Sequence, residues 1–261
     1  MQVGANYMKN TKTKHIHFLL TAIFTFAFLF LTIPSAQAAT EFVTTIKESG
    51  GDFSSLASWE STISAGDDMD LTATTTKVFS HSGITGTITA STTVTGATSG
   101  ATGVAVFATA NQILIKNIVG TFQSGEQVQV DSLNYVTISD SGDSPIAVAK
   151  IDGAWTNPDT TAVTINGWIT SATNFIKIYT TATARHNGKW DNTKYRMETN
   201  TTSTHLINVY TNHVRIQGLQ IDIASGSYSV GVYVDYLTDG ANVQIFNNII
   251  RGIFNKYPNI F

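Results

Sequence analysis

One pattern occurs twice in this chain, first as Val214-Arg215-Ile216-Gln217-Gly218-Leu219-Gln220-Ile221-Asp222 and again, at an offset of 29 (243 − 214), as Val243-Gln244-Ile245-Phe246-Asn247-Asn248-Ile249-Ile250-Arg251. In each copy two apolar residues alternate with polar ones, a two-residue turn follows, and the alternation resumes. Because side chains alternate across a strand, the apolar residues of each copy share one face. A repeat of this period predicts a stacked array of structural units.

A third strand, from Gly231 to Tyr236, lies between the two copies. Three short strands per repeat, with Gly or Asn at the corners, describe one coil of a right-handed parallel β-helix. Stacked parallel strands lie ~4.8 Å apart, so equivalent residues of successive coils lie above one another. We therefore predict apolar ladders inside the coil and an exposed ion pair between Asp222 and Arg251. An inward Asn248 needs hydrogen bonds to the neighbouring coil, because an unpaired buried amide is costly.

The composition suits strands and turns. The 261 residues are enough for one large all-β domain or two small ones, and 42% are hydrophobic. Only 13% are charged, which is about half the usual share. A net charge of −3 without a basic run after the N-terminus argues against a nucleic-acid-binding surface. The chain has no cysteine, which excludes a disulfide framework and a thiolate zinc site.

The segment 1–38 is predicted to be a secretory signal peptide. Three lysines, at positions 9, 12 and 14, precede the apolar run Phe18–Ile33, and Ala36-Gln37-Ala38 matches a small-residue cleavage site. The alternative is an uncleaved membrane anchor, although the apolar run is shorter than the ~20 residues of a spanning helix. We expect a secreted, extracellular or cell-envelope protein with no stable membrane span after cleavage.

Residues 39–79 are predicted to cap the array. Phe42 to Ile46 reads as a strand, and Ser49 to Asp52 as a turn. A short amphipathic helix should follow, with Asp52 or Ser54 as its N-cap and Gly66 at its end. Its apolar residues are spaced by three, three and four positions: Phe53, Leu56, Trp59 and Ile63. Terminal units of a stacked array must cover its exposed apolar end.

The segment Lys47-Glu48-Ser49-Gly50-Gly51-Asp52-Phe53-Ser54-Ser55-Leu56 resembles the opening of many secreted proteins of the pectate-lyase-like superfamily. The resemblance covers Glu41–Asp70 and Ile146–Phe261 at the level of the fold. It implies an all-β, right-handed parallel β-helix with an N-terminal capping helix. It also implies polysaccharides as the substrates of the enzymes among these proteins.

Residues 80–141 are predicted to form a small β-barrel or β-sandwich module inserted into the β-helix. Strand-like runs alternate there with glycines, and Gly96–Gly103 resembles a module of phage tail and virion proteins. The module is either a surface or ligand-contact element or an insertion without a binding role.

Residues 142–261 are predicted to be β-helix coils that are incomplete at the C-terminus. They hold about three to four coils, which is few for an independently stable array. The last residues, Tyr257 to Phe261, supply no helix or polar cap. We therefore expect the N-terminal part of a longer chain. If the chain does end at Phe261, the open end needs a partner or a second copy.

Three acids with outward side chains are the candidate catalytic residues: Asp222, Asp235 and Asp239. Lyases and hydrolases of the pectate-lyase-like superfamily use clustered carboxylates for acid–base catalysis or for binding calcium, often with an Arg or Lys as the base. Here the acids are spread around a coil, and the motifs of polygalacturonases and calcium-dependent pectate lyases are missing. No cofactor is predicted, and calcium is left open although no motif indicates it. No metal site is predicted either, since His205 and His213 lack a third ligand at metal spacing.

A mixed segment between the predicted strands is the better candidate for ligand binding. It contains Arg185, His186, Lys189, Trp190 and Asp191, whose side chains can stack on and hydrogen-bond a sugar or an acidic group. The alternative is a structural loop that aromatic side chains anchor to the flank of the coils.

Two functions remain open from the sequence. The first is an exported β-helix surface or structural protein that binds or displays toward glycans, with a polysaccharide or cell-surface glycan as partner. The second is a polysaccharide lyase or glycoside hydrolase acting on acidic polysaccharides. The sequence leaves open whether the protein is an enzyme, because likeness of fold does not determine function.

Overall fold

The computed structural model describes residues 38–252 apart from 65, 67, 202 and 224–228. The predicted signal peptide, except Ala38, and the expected open end beyond Gly252 therefore lie outside the described residues. The predicted all-β class is confirmed, since one helix of eight residues accompanies the strands in this part of the chain. No described helix has the length and apolar character needed to span a membrane.

The elements follow one another along the chain as β1 (Thr40–Ile46), α1 (Leu56–Ile63), β2 (Met69–Asp70), β3 (Lys77–Thr85), β4 (Thr92–Gly96), β5 (Thr102–Ala108), β6 (Gln112–Val119), β7 (Gln127–Asp131), β8 (Asn134–Ile138), β9 (Pro145–Ile151), β10 (Val163–Ile165), β11 (Trp168–Ile169), β12 (Ile176–Thr180), β13 (Arg196–Thr199), β14 (His205–Val209), β15 (His213–Gln217), β16 (Gln220–Ile223), β17 (Val230–Val234), β18 (Asn242–Phe246) and β19 (Ile249–Gly252).

Parallel sheets contain the strands outside residues 77–138. The first sheet has the order β1-β9-β12-β15-β18, the second β10-β14-β17 and the third β13-β16-β19, while β2 pairs with β11. From β12 onward the chain visits the first, third and second sheets in turn, and then the first again. We call each such circuit a repeat. Equivalent strands of successive repeats are therefore neighbours in the same sheet.

The predicted register between the last two repeats is confirmed. Val214 pairs with Val243 and Ile216 with Ile245 in the first sheet, and Ile221 pairs with Ile250 in the third. Asn248 also behaves as predicted: Leu219 N donates to its Oδ1 (2.8 Å), and its Nδ2 donates to the Ile216 carbonyl (3.0 Å). The register follows from the period-2 pattern, because a one-residue slip would turn every apolar side chain outward.

The corner between the first and third sheets requires a left-handed backbone. Gly218 has φ +82° and its equivalent in the next repeat, Asn247, has φ +55°. Glycine and asparagine adopt this conformation at the least cost. A Cβ at Gly218 would also lie 2.3 Å from Thr180 Oγ1, a distance too short for any ordinary contact. The repeated corner thus explains why the pattern carries Gly and Asn there.

The start and end of α1 differ from the prediction. The N-cap is Ser55 rather than Asp52 or Ser54, since its hydroxyl accepts from Ser58 N, and the helix ends at Ile63 rather than at Gly66. The Asp52 carboxylate accepts instead from Thr45 N and Thr45 Oγ1, both at 2.7 Å. The expected apolar face is confirmed, since four of its residues are buried in the main core: Phe53, Leu56, Trp59 and Ile63.

The outer edge of β1 is covered by side chains and a turn. Gln112 of β6 accepts from Val43 N (3.1 Å) and donates to the Glu41 carbonyl (2.9 Å). Asp52 accepts from Thr45 N, and Lys47 N donates to the Phe53 carbonyl (3.0 Å). An uncovered edge would present a row of unpaired groups to other chains. These contacts therefore satisfy the Glu41 carbonyl and the Val43 and Thr45 amides on the outer edge of the first strand.

A closed six-stranded barrel occupies residues 77–138, in the order β3-β6-β5-β4-β7-β8. It has its own core, and three of its residues, Val78, Val106 and Leu114, belong to the main core instead. Phe107 packs against Phe53 with ring centroids 4.9 Å apart. The barrel strands begin slightly before the residue 80 that marks the predicted module.

Candidate functional site

The predicted ligand segment lies in the connection between β12 and β13 and packs on the left-handed corners. Arg185 Nε donates to Thr180 Oγ1 (3.2 Å), and a second guanidinium nitrogen donates to the Thr180 carbonyl. His186 Nε2 donates to the Asn247 carbonyl (2.8 Å). Arg185 also lies against Gly218. Both side chains thus bind the backbone of the repeats.

Trp190 and Asp222 are brought together by Arg251. The Arg251 guanidinium lies over the Trp190 ring, 3.6 Å from its centroid, and Nη2 donates to Asp222 Oδ2 at 2.7 Å. This confirms the ion pair predicted from the repeat. The side chains are 49% and 14% exposed for Arg251 and Asp222, so the pair lies at the surface. One face of the Trp190 ring is consequently covered by the guanidinium.

The buried Gln220 anchors the end of the same segment. Asp191 N donates to Gln220 Oε1 (2.6 Å), and Gln220 Nε2 donates back to the Asp191 carbonyl (2.9 Å). Hydrogen bonds from the Thr193 hydroxyl and backbone lower the pKa of the Asp191 carboxyl. Lys189 is exposed and makes no hydrogen bond or ion pair in the described part of the chain. Of the predicted ligand residues, Lys189 alone extends into solvent without a partner among those described.

The three candidate acids lie on separate elements. Asp222 belongs to β16, Asp235 follows β17, and Asp239 lies in the exposed turn before β18. The Asp235 carboxylate accepts from the Tyr233 hydroxyl and from Tyr236 N, each at 2.8 Å, and these bonds lower its pKa. Within the described residues no group of three or more His, Asp or Glu is placed to hold a metal ion. The structure therefore gives each acid its own surroundings.

A cluster of aromatic side chains lies on the second sheet, and we call it the aromatic patch: His205, Tyr210, Tyr233 and Tyr236. The His205 and Tyr233 rings are 4.5 Å apart at an interplanar angle of 30°. Tyr210 packs edge-on against Tyr233 at 6.4 Å and against Tyr236 at 5.3 Å. Such offset and edge-on pairs are the favoured aromatic arrangements. The four rings therefore support one another across β14 and β17.

Tyr236 is the most prominent member of the patch. Its side chain is 77% exposed, and its backbone is left-handed with φ +56°. A bulky residue in this conformation costs ~1–3 kcal/mol, and such strain clusters at functional sites. Its backbone N–H is held by Asp235 Oδ1. Asp235 thus fixes both the strained Tyr236 and, through the hydroxyl, Tyr233.

The patch combines apolar rings with fixed polar groups. The hydrogen bond to Asp235 raises the pKa of the Tyr233 hydroxyl and fixes the orientation of this group. His205 Nδ1 donates to Asn208 Oδ1 (3.0 Å), and Asn208 Nδ2 donates to Thr164 Oγ1 (3.2 Å). Tyrosine rings offer rigid amphipathic area at a low entropic cost. The arrangement suits a ligand with both apolar faces and hydroxyl groups.

The aromatic patch is not predicted from the sequence, which indicates a strand that contains Tyr233 and Tyr236 but no site there. One signal could have indicated the patch. Tyr210 follows β14 as Tyr236 follows β17, and the two tyrosines are 26 positions apart (236 − 210). Comparison with protein-family models, curated proteins and solved structures finds no match to this chain.

Proposed function

We propose that this is an exported protein with a right-handed parallel β-helix of the pectate-lyase-like type, and that it binds glycans through the aromatic patch. The fold proposal is supported by the three parallel sheets that the chain visits in turn. It is also supported by the asparagine that links neighbouring repeats. The right-handed sense follows from the general rule for parallel crossovers.

The observation that carries the binding proposal is the exposed, strained Tyr236 beside Tyr210 and Tyr233. Pyranose rings present apolar C–H faces that stack on aromatic rings, and their hydroxyl groups need fixed donors and acceptors. Tyr236 supplies a rigid exposed ring, while Tyr233 and Asp235 supply polar groups held at 2.8 Å from each other. A strained exposed ring has no evident part in the core, which favours a role in recognition.

The proposed localisation outside the cytoplasm rests on the sequence of segment 1–38. The lysines, the apolar run and the Ala-Gln-Ala site have the order of a secretory signal. An external glycan or polysaccharide is then the partner that the protein meets.

The experiment compares the full-length protein with Tyr236→Gly on a glycan array and by titration with the best ligand. Glycine removes the ring and relieves the left-handed strain, so we expect glycan affinity to fall at least tenfold while stability is kept or increased. Leu133→Ala is the control, because Leu133 is 75% exposed on the barrel, outside the aromatic patch. Absence of any glycan ligand, or unchanged affinity in Tyr236→Gly, would overturn the proposal.

The enzyme alternative has less support in the geometry. A general acid needs a pKa near the working pH, whereas hydrogen bonds lower the pKa of Asp235. Asp222 is held by Arg251 in an ion pair. A binding role therefore agrees better with the contacts of these two acids.

A further inference from the structure

A small pocket opens on the first sheet, away from the strands that carry the aromatic patch. Its volume is about 150 Å³, and it is lined by Ala172, Phe175, His213, Val214, Arg215 and Asn242. Drug-sized ligands occupy ~300–1,000 Å³. The pocket therefore has room for one functional group and its neighbouring atoms.

The strongest polar group in the pocket is the Arg215 guanidinium. It lies over the Phe175 ring, with Cζ 3.7 Å from the centroid, where the ring holds it by a cation–π interaction. It makes no hydrogen bond or ion pair with any residue that the structure describes. A guanidinium is always charged and presents several N–H donors in a planar fork. These donors remain available to a ligand.

The neighbouring amide is oriented as a second donor. Asn242 pairs with His213 in the register of the sheet. Gln244 Nε2 donates to Asn242 Oδ1 at 3.1 Å. This bond uses the amide oxygen of Asn242, and its Nδ2 group has no hydrogen-bond acceptor among the described residues.

His213 is arranged as a third donor by Thr170. His213 N donates to Thr170 Oγ1 (3.2 Å), so the threonine hydroxyl proton is free to point at His213 Nδ1, 3.4 Å away. With the threonine hydroxyl donating to Nδ1, the ring N–H of His213 lies on Nε2, and we assign this tautomer. The assignment makes Nε2 a donor.

All three polar side chains of the pocket can thus donate, and none of its lining residues is acidic. Glu41 forms an ion pair with the neighbouring cation Lys177 at 2.6 Å, so its carboxylate is already engaged. We propose that this pocket binds a carboxylate, with Arg215 as its main partner and with Asn242 and His213 as supporting donors. Guanidinium and carboxylate groups match in planar, two-bond geometry. The carboxylate belongs either to an acidic sugar residue or to a small free acid. The proposal does not rest on the function proposed for the aromatic patch.

The test is titration calorimetry on the full-length protein with sodium glucuronate, glucose and sodium acetate. We expect saturable binding of glucuronate, no binding of glucose, and at least a tenfold loss of affinity in Arg215→Gln. Asn242→Asp should cause a loss of the same order, because it replaces a donor with a negative charge. Lys150→Gln is the matched control, since Lys150 belongs to β9 of the same sheet but does not line the pocket. Circular dichroism and thermal unfolding confirm that each variant is folded.

Each outcome decides one point. Equal affinity for acetate and glucuronate supports the site and identifies the carboxylate alone as the ligand, whereas preference for glucuronate identifies the acidic sugar. No binding of either acid by the folded wild-type protein overturns the proposal. An equal loss in Lys150→Gln and Arg215→Gln also overturns it, because attraction would then come from diffuse charge. Tyr236→Gly should bind glucuronate like the wild type, so this result is independent of the aromatic patch.

Discussion

Single residues with a left-handed backbone divide into two kinds in this protein. Gly218 and Asn247 occupy equivalent corners, where Gly and Asn are the residues expected on steric grounds. Tyr236 adopts the same conformation without that advantage and holds its ring in solvent. The first kind serves folding, and the second indicates binding.

Gly218→Ala should lower the free energy of unfolding by about 2 kcal/mol or more. The new Cβ meets Thr180 and Arg185 and must adopt a left-handed backbone, and each effect is of the order of 1 kcal/mol. Urea unfolding measures the change. Asn247→Gly at the equivalent corner is the control and should stay within about 0.5 kcal/mol of the wild type. Equal effects of the two substitutions would contradict this account.

The carboxyl of Asp152 should make stability depend on acid pH. Hydrogen bonds from the hydroxyls of Thr181 and then Thr183 lower its pKa from the ordinary 3.8 to about 2. A pKa that is lower in the folded state adds stability above the unfolded value, and this stability is lost as pH falls toward 2. Comparison with Asp152→Asn by urea unfolding should show a difference of at most about 2 kcal/mol above pH ~5. That difference should shrink between pH ~4 and ~2, and a difference independent of pH would refute the assignment.

Contacts between single residues can be predicted from the sequence where the two residues are separated by the fixed length of the repeat. The Asp222–Arg251 pair follows from the 29-residue repeat alone. The aromatic patch does not follow from it, because Tyr233 and Tyr236 stand at offsets of 23 and 26 from Tyr210 (233 − 210 and 236 − 210). The pocket at Arg215 depends on Phe175 and Thr170, which precede the two copies of the repeat. Contacts that depend on the length of each connection are not encoded in the periodic pattern.

At the scale of elements, the side chain of Asn248 joins neighbouring repeats at the corner between the first and third sheets. It takes the place of a backbone group by accepting from one residue of the previous repeat and donating to another. At the start of α1, a contact with another element replaces the contact that the local sequence predicts. Asp52 has the residue type of an N-cap, but the unpaired edge of β1 binds its carboxylate, and Ser55 caps the helix instead. Local preference is overruled there by a contact with another element.

Asn248→Asp should destabilise the protein by about 1–3 kcal/mol. The carboxylate still accepts from Leu219 N, but it cannot donate to the Ile216 carbonyl and places a negative charge beside that oxygen. Chemical denaturation at neutral pH measures the loss. Asn242→Ser, at the exposed start of the same repeat, should have little effect on stability, and a similar loss there would show that Asn248 has no special role.

At the scale of the whole molecule, the barrel closes the edge of the first sheet. The composition predicts a small β module, but it does not predict how the module is attached. Besides barrel residues that are buried in the main core, the attachment includes one side-chain amide, Gln112, and one aromatic contact, Phe107 with Phe53. Neither contact has a sequence signature, because both join residues that are more than 50 positions apart.

Gln112→Ala should expose the edge of β1 to solvent. Val43 N then loses its acceptor, so we expect its amide hydrogen to exchange at least tenfold faster, as measured by hydrogen–deuterium exchange. The amide of Lys47, which the Phe53 carbonyl accepts, is the internal reference and should be unchanged. Equal protection of Val43 in both proteins would show that other atoms cover this edge.

Because the edge of β1 is covered, repeats can be added to the stack more easily away from β1 than next to it. Duplication of one repeat can lengthen such a molecule by insertion between repeats, since the new strands continue the register of each sheet. On the β1 side the same duplication would first have to displace Gln112 and Asp52. In descent or in design, the number of repeats is therefore adjustable away from the barrel, while the end that carries the barrel stays constant.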